Sequence, residues 1–157
     1  MRVKLIACEV LHRELLALAA RSPHTVDLEF VPKGLHDLRS AEMRERMQAL
    51  VDATDAAQHG RILLGYALCN NGLAGVAARD VPLVLPRAHD CITLFLGSRA
   101  RYREHFETHP GTYYLTTGWL ERGEATGELR EQSILRRTGM DQSFEELVRQ
   151  YGEDNAR

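Results

Sequence analysis

The chain has 157 residues, 44% of them apolar and 27% charged, the size and balance of one globular domain, which excludes a disordered, fibrous or collagen-like polypeptide. Twenty Lys and Arg against 22 Asp and Glu leave a formal net charge of -2, so there is no general electrostatic drive toward nucleic acid or an anionic membrane. Three cysteines cannot all pair with one another, which favours reduced thiols and a cytoplasmic home, and the opening MRVKLIACEVLHRELL holds too short an apolar run for an export signal or a spanning helix.

Val3 to Cys8 is a nearly continuous apolar run, the pattern of a strand covered on both faces. From Glu9 to Ala20 the residues Val10, Leu11, Leu15, Leu18 and Ala19 form one helical stripe, ended by Ser22 and Pro23. Val26 to Val31 alternates apolar and acidic residues, as a half-covered strand should, and stops at Pro32 and Gly34. A helix follows over about residues 40 to 54, with Met43, Met47, Leu50 and Val51 inward and Ser40 as its expected cap. Arg61 to Tyr66 reads as a third strand, followed by the loop ALCNNG and a small-residue helix from about Leu73 to before Asp80.

Val81 to Leu85 is the fourth expected strand. Helices are expected from Asp90 to Leu96 and from Arg99 to Thr108, with His109, Pro110 and Gly111 as a stop. Tyr113 to Thr116 is a candidate fifth strand. Beyond Trp119 the chain turns polar, with two expected helices at about residues 128 to 136 and 143 to 151. Strands alternating with helices imply one α/β domain spanning residues 1 to 157, with a doubly wound, mostly parallel sheet, helices on both faces and strand order 2-1-3-4-5.

In such a sheet ligands collect beyond the carboxyl ends of the strands where the winding reverses. All three cysteines fall there: Cys8 ends the first strand, Cys69 follows the third and Cys91 follows the fourth within PRAHDC. Adjacent strands lie about 4.8 Å apart, so short loops can bring the three sulfurs together. Three thiolates are a soft ligand set suited to zinc or an iron–sulfur cluster, with His89 as a candidate fourth ligand or acid/base group. The competing reading is that the cysteines are small core hydrophobes. A nucleophilic thiol is another alternative, with His89 and Asp90 as catalytic partners, since Cys69 and Cys91 precede expected helix starts.

Asn70, Asn71 and Arg87 are the candidate ligand-binding residues. The loop GYALCNNGLAG offers backbone amides to an anion before a helix, although packing explains Gly72 and Gly75 equally well. Arg87 offers a guanidinium to a carboxylate or phosphate. Tyr113, Tyr114 and Trp119 read as packing aromatics rather than a nucleic-acid platform. His12, His24, His36, His59, His105 and His109 read as surface or packing residues.

The segments CEVLHREL, LGYALCNNGLAG, PLVLPRAHDCITLFLGSR and PGTYYLTTGW resemble an uncharacterised domain-of-unknown-function family of methanogens and other bacteria, over most of residues 3 to 154. The resemblance implies a corrinoid-dependent methyl-transfer or one-carbon context, while the strand-end residues point to a small-molecule substrate or ligand and the charge balance to neither nucleic acid nor membrane as partner. It also implies that related chains continue past YGEDNAR into another helix and strand. A truncated C-terminus, or a sheet lacking its last strand, is therefore expected here. Oligomeric state is left open. A metal-assisted enzyme and a non-catalytic protein carrying a metal or small ligand are the two expectations for function.

Overall fold

The computed structural model describes residues 1–122, 127–140 and 142–156. Four strands, β1 (Arg2–Cys8), β2 (Thr25–Val31), β3 (Arg61–Gly65) and β4 (Leu83–Val84), form a wholly parallel sheet in the order β2-β1-β3-β4. The central pair are the apolar runs of the sequence, because only strands shielded on both faces can dispense with alternation.

In a parallel sheet, residues in register point to the same face. Ile6 pairs with Leu64, and with Cys8, Ile62 and Tyr66 they form one core with Met43, Met47 and Val51 of α2 (Ser40–Asp52). Both methionines are completely buried. The opposite face carries Leu5, Ala7 and Gly65, against which α1 (His12–Ala20) lays Leu15. A Cβ on Gly65 would stand 2.7 Å from that of Ala7 and 3.0 Å from Leu15 Cδ1, so glycine there sets how closely α1 approaches the sheet.

After β4 come α3 (Cys91–Leu96), α4 (Arg99–Thr108) and α5 (Thr117–Glu121), then α6 (Gly127–Gln132), α7 (Ile134–Arg137), α8 (Phe144–Tyr151) and α9 (Glu153–Ala156). Most starts have a physical cause in the sequence. Asp90, Ser98 and Thr116 each accept a hydrogen bond from a first-turn amide of α3, α4 and α5, and Ser143 with Glu146 forms a reciprocal capping box on α8. No helix among the described residues is long and apolar enough to cross a membrane.

Four expectations are corrected. Tyr113–Thr116 forms no strand, so the order stops at four; Tyr113 is 92% exposed, and the two-residue β4 offers too short an edge for a partner. Residues 73–80 form the end of a turn followed by irregular chain rather than a helix, because Cys69, Asn70 and Asn71 take positive φ in succession and Gly75 does so again at 92°. The expected helix at 128–136 is broken at Ser133, whose hydroxyl caps α7. Ser40 is the first residue of α2 rather than its cap, and its hydroxyl donates instead to the Asn70 carbonyl at 2.7 Å.

Candidate functional site

β1 and β3 are direct neighbours and β4 flanks β3, so their carboxyl ends open onto one edge of the molecule. Beyond the sheet the two following loops continue the pairing: Leu68 N–H donates to Ala88 O and Cys69 N–H to His89 O, both at 3.1 Å. This ladder brings Cys69 beside the segment that carries Cys91. The Cys69–Asn71 turn is held in its left-handed conformation from below. Asn70 Nδ2 donates to the carbonyls of His36 and Leu38 at 2.5 and 2.7 Å, and Gly72 packs where a Cβ would lie 2.1 Å from Met43 Sδ.

All three cysteines are free thiols, Cys8 buried and the others half-buried. They are close enough to act on one another electrically. Burial pushes Cys8 up to about 12, and the Cys91 sulfur adds to it. Burial likewise pushes Cys69 up to about 12, with further contributions from Cys91, Cys8 and the Asp90 carboxylate. Cys91 is raised by burial and by Asp90, while the Trp119 side chain, a donor to its thiolate, works the other way. At neutral pH these are protonated thiols. That weighs against an isolated cysteine nucleophile, whose reactive form is the thiolate.

Tyr66 lies at the centre of the cluster. It is 1% exposed, its hydroxyl has no nitrogen or oxygen partner among the described residues and interacts with the Cys8 thiol, and burial followed by the charges of Cys8 and Cys69 raises its pKa strongly, the Cys8 hydrogen bond and Cys91 contributing as well. A buried hydroxyl without a nitrogen or oxygen partner costs free energy and is rare in native proteins.

The other sequence-derived residues divide. Asp90 stays with the thiols and caps α3, accepting from Thr93 N–H at 2.8 Å and Thr93 Oγ1 at 3.0 Å. Burial opposes its charge, but these bonds and His89 outweigh it and hold its pKa below the usual range. His89 Nδ1 lies 2.9 Å from Asp90 Oδ2, yet its side chain is 77% exposed and its ring faces Tyr102. Arg87 is exposed and makes no ion pair with the described residues. Asn70 is structural in the contacts it makes, and Asn71 is exposed. The expected anion cradle lacks its helix, since none follows Gly72.

Sequence reasoning missed the wall opposite the loops. Glu9 Oε1 accepts from Lys33 N–H at 2.7 Å, Lys33 Nζ sits 5.1 Å from the centre of the Trp119 ring, and His36 meets the same ring edge-on at 5.9 Å. Tyr66 was the legible signal: a polar-tipped aromatic immediately after the buried strand β3. Among the described residues, no three His, Cys, Asp or Glu side chains are grouped as a bound metal ion would require. An apolar cavity of about 550 Å³ lies on the α1 face between Leu5, Leu15, Leu63, Val84 and Phe95, and no cysteine lines it. Chemistry and apolar volume therefore occupy different faces, and the thiol cluster carries the functional argument.

The fold defines an α/β protein with a four-stranded parallel sheet, beyond whose carboxyl edge lie one buried cysteine, Cys8, and two half-buried ones, Cys69 and Cys91. The chain belongs to the family described as "Protein of unknown function (DUF1638)", whose model matches residues 30–156. No curated protein and no solved structure matches it.

Proposed function

We propose that this is a metal-thiolate protein in which Cys8, Cys69 and Cys91 take zinc or an iron–sulfur cluster. The observation that carries this reading is the position of Cys8 at the end of β1 and of Cys69 and Cys91 on the segments that leave neighbouring parallel strands, two segments that stay paired through Leu68 N–H to Ala88 O and Cys69 N–H to His89 O, with the thiols close enough to act on one another's charge. Protonated, the thiols need no close approach. A soft cation reverses the balance, because its charge stabilises the thiolates that burial and mutual repulsion disfavour, and metal binding then expels their protons. Tyr66 Oη would donate to a coordinated thiolate and Trp119 to Cys91, the kind of outer contact that orients ligands.

Three protein ligands leave a position open for water, a thiol or another small substrate, which a zinc ion would activate as a Lewis acid. Methyl transfer from a methylated corrinoid to such a thiol, the carbon–sulfur bond forming as the carbon–cobalt bond breaks with both its electrons left on cobalt and the thiol proton released, is the one-carbon chemistry this arrangement would serve. His89, held by Asp90 on the solvent side, would take up the released proton, and Arg87 would receive an acidic group of the substrate. Reduced thiols also need a reducing compartment, so the cytoplasm is the proposed location.

The test is elemental analysis and absorption spectroscopy of protein purified without oxygen, beside Cys8→Ser, Cys69→Ser and Cys91→Ser. The expected result is zinc or iron near one site per chain, lost largely in each variant while the circular dichroism is retained. Wild-type protein that neither contains nor takes up zinc or iron under these conditions would overturn the proposal. Stoichiometric metal that survives all three substitutions would overturn the ligand assignment.

A further inference from the structure

α4 carries a second group of metal-ligating side chains, remote in sequence from the cysteines. His105 and His109 are four residues apart, the spacing that stacks side chains on one helical face. The His109 amide still donates to His105 O at 2.8 Å although the backbone leaves the helix at that residue. The two rings have centroids 5.0 Å apart and planes inclined by 34°. For two imidazoles on one tetrahedral ion with metal–nitrogen bonds of about 2.0 Å, the ring centres should be about 5 Å apart.

The hydrogen bonds about the His109 ring favour the protonation that a metal needs. Thr108 Oγ1 lies 2.7 Å from Glu104 O and 2.8 Å from His109 Nδ1. A hydroxyl has one proton. With that proton given to the Glu104 carbonyl, Oγ1 can only accept from His109 Nδ1–H, which leaves Nε2 as the bare, metal-binding nitrogen. On His105 it is again Nδ1 that is engaged, 3.0 Å from Tyr114 Oη. A ligating histidine commonly has its second ring nitrogen held in this way, which sets tautomer and ring orientation. Both histidines also line a surface cavity of about 390 Å³ with Glu104, Arg101 and Leu96, so an ion has access and room for water or an exogenous ligand.

We infer that His105 and His109 form a two-imidazole site for a divalent late first-row transition metal such as nickel, copper or zinc, with Thr108 and Tyr114 as positioning residues and the remaining coordination positions open. The inference is independent of the thiol cluster, and imidazole suits these ions by ligand type.

Nickel(II) is the probe, titrated into the full chain by calorimetry and followed by histidine ring NMR. The expected result is one nickel bound at the imidazoles in addition to any held by the cysteines, broadening the His105 and His109 signals and showing no thiolate charge-transfer absorption in Cys69→Ser. His105→Ala and His109→Ala should each weaken binding at least about tenfold, Thr108→Val should weaken it about tenfold through the lost tautomer control, and Cys69→Ser should leave it unchanged. Wild-type protein that binds no nickel, or either histidine variant binding as tightly as wild type, overturns the site. Thr108→Val binding at full strength overturns the positioning role. Circular dichroism of each variant separates loss of ligand from loss of α4.

Discussion

Gly118 packs against the backbone of Val10 so closely that a Cβ at that position would stand 1.9 Å from the Val10 carbonyl oxygen. This contact clamps α5 onto the turn that follows Cys8 and thereby holds Trp119 beside Cys91 and under Lys33. Backbone cannot yield as a flexible side chain can. Gly118→Ala should therefore displace α5 and cost roughly 1–3 kcal/mol, the range of an overpacked interior. Trp119 is the only tryptophan in the chain, so the intrinsic fluorescence should shift to longer wavelength as the indole enters water. An unchanged spectrum and melting temperature would show that the clamp has slack.

The left-handed turn separates two neighbouring asparagines by role. Asn70 bonds two carbonyls through one amide group, whereas Asn71 is exposed and only adopts φ of 64°. Asn70→Ala should lose about 1–3 kcal/mol in urea unfolding, because both carbonyls lose their donor. Asn71→Gly should be neutral or stabilising by up to about 1 kcal/mol, since glycine accepts positive φ without steric cost, while Asn71→Val should destabilise by about 1–2 kcal/mol.

Asp90 is a helix cap first. Asp90→Ala should reduce stability by about 1 kcal/mol, and Asp90→Asn, which still accepts from Thr93 N–H, should retain most of it. Equal losses in the two variants, read by thermal unfolding, would mean that the negative charge rather than the cap holds α3.

Alkaline pH should destabilise the metal-free protein through its thiols. Cys8 and Cys69 are held up to about 12 in the fold, against about 8.5 for an unfolded cysteine. Raised folded-state values mean that the native chain binds more protons than the unfolded one between these limits, so stability is complete below about 8.5 and falls as pH climbs toward 12. Urea midpoints measured from about pH 8 to about pH 10.5 should fall more steeply for wild type than for Cys8→Ala. Parallel slopes would remove Cys8 from the account.

Tyr66→Phe separates the cost of the buried hydroxyl from its use. In metal-free protein the substitution should be neutral or stabilising by up to about 1 kcal/mol, because it deletes a buried hydroxyl whose sole hydrogen-bonding neighbour among the described residues is the weakly bonding Cys8 thiol. Zinc affinity should nevertheless drop by about tenfold or more if Oη supports a coordinated thiolate, a split that paired denaturation and competition titrations would reveal.

Local chemistry was enough to place β1, β2, β3, α2 and α4, because apolar runs, alternation and helical stripes are written in neighbouring residues. The same information placed all three cysteines at strand carboxyl ends and, through the parallel order, on one side of the sheet. What lay outside its reach was decided by contacts between distant segments. Residues 73–80 look helical by composition, but the Cys69–Asn71 turn, pinned by the carbonyls of His36 and Leu38, sends the chain another way. Tyr113–Thr116 has strand-like residues and finds no edge to pair with. His89 sits one residue from Asp90 and turns to solvent, whereas Tyr66 and Trp119, separated by about a third of the chain, both come to act on Cys91. Sequence spacing fixes which way a side chain leaves its own strand or helix; which sulfur, ring or hydroxyl it meets depends on how the loops close over the sheet, and those closures are set by tertiary packing.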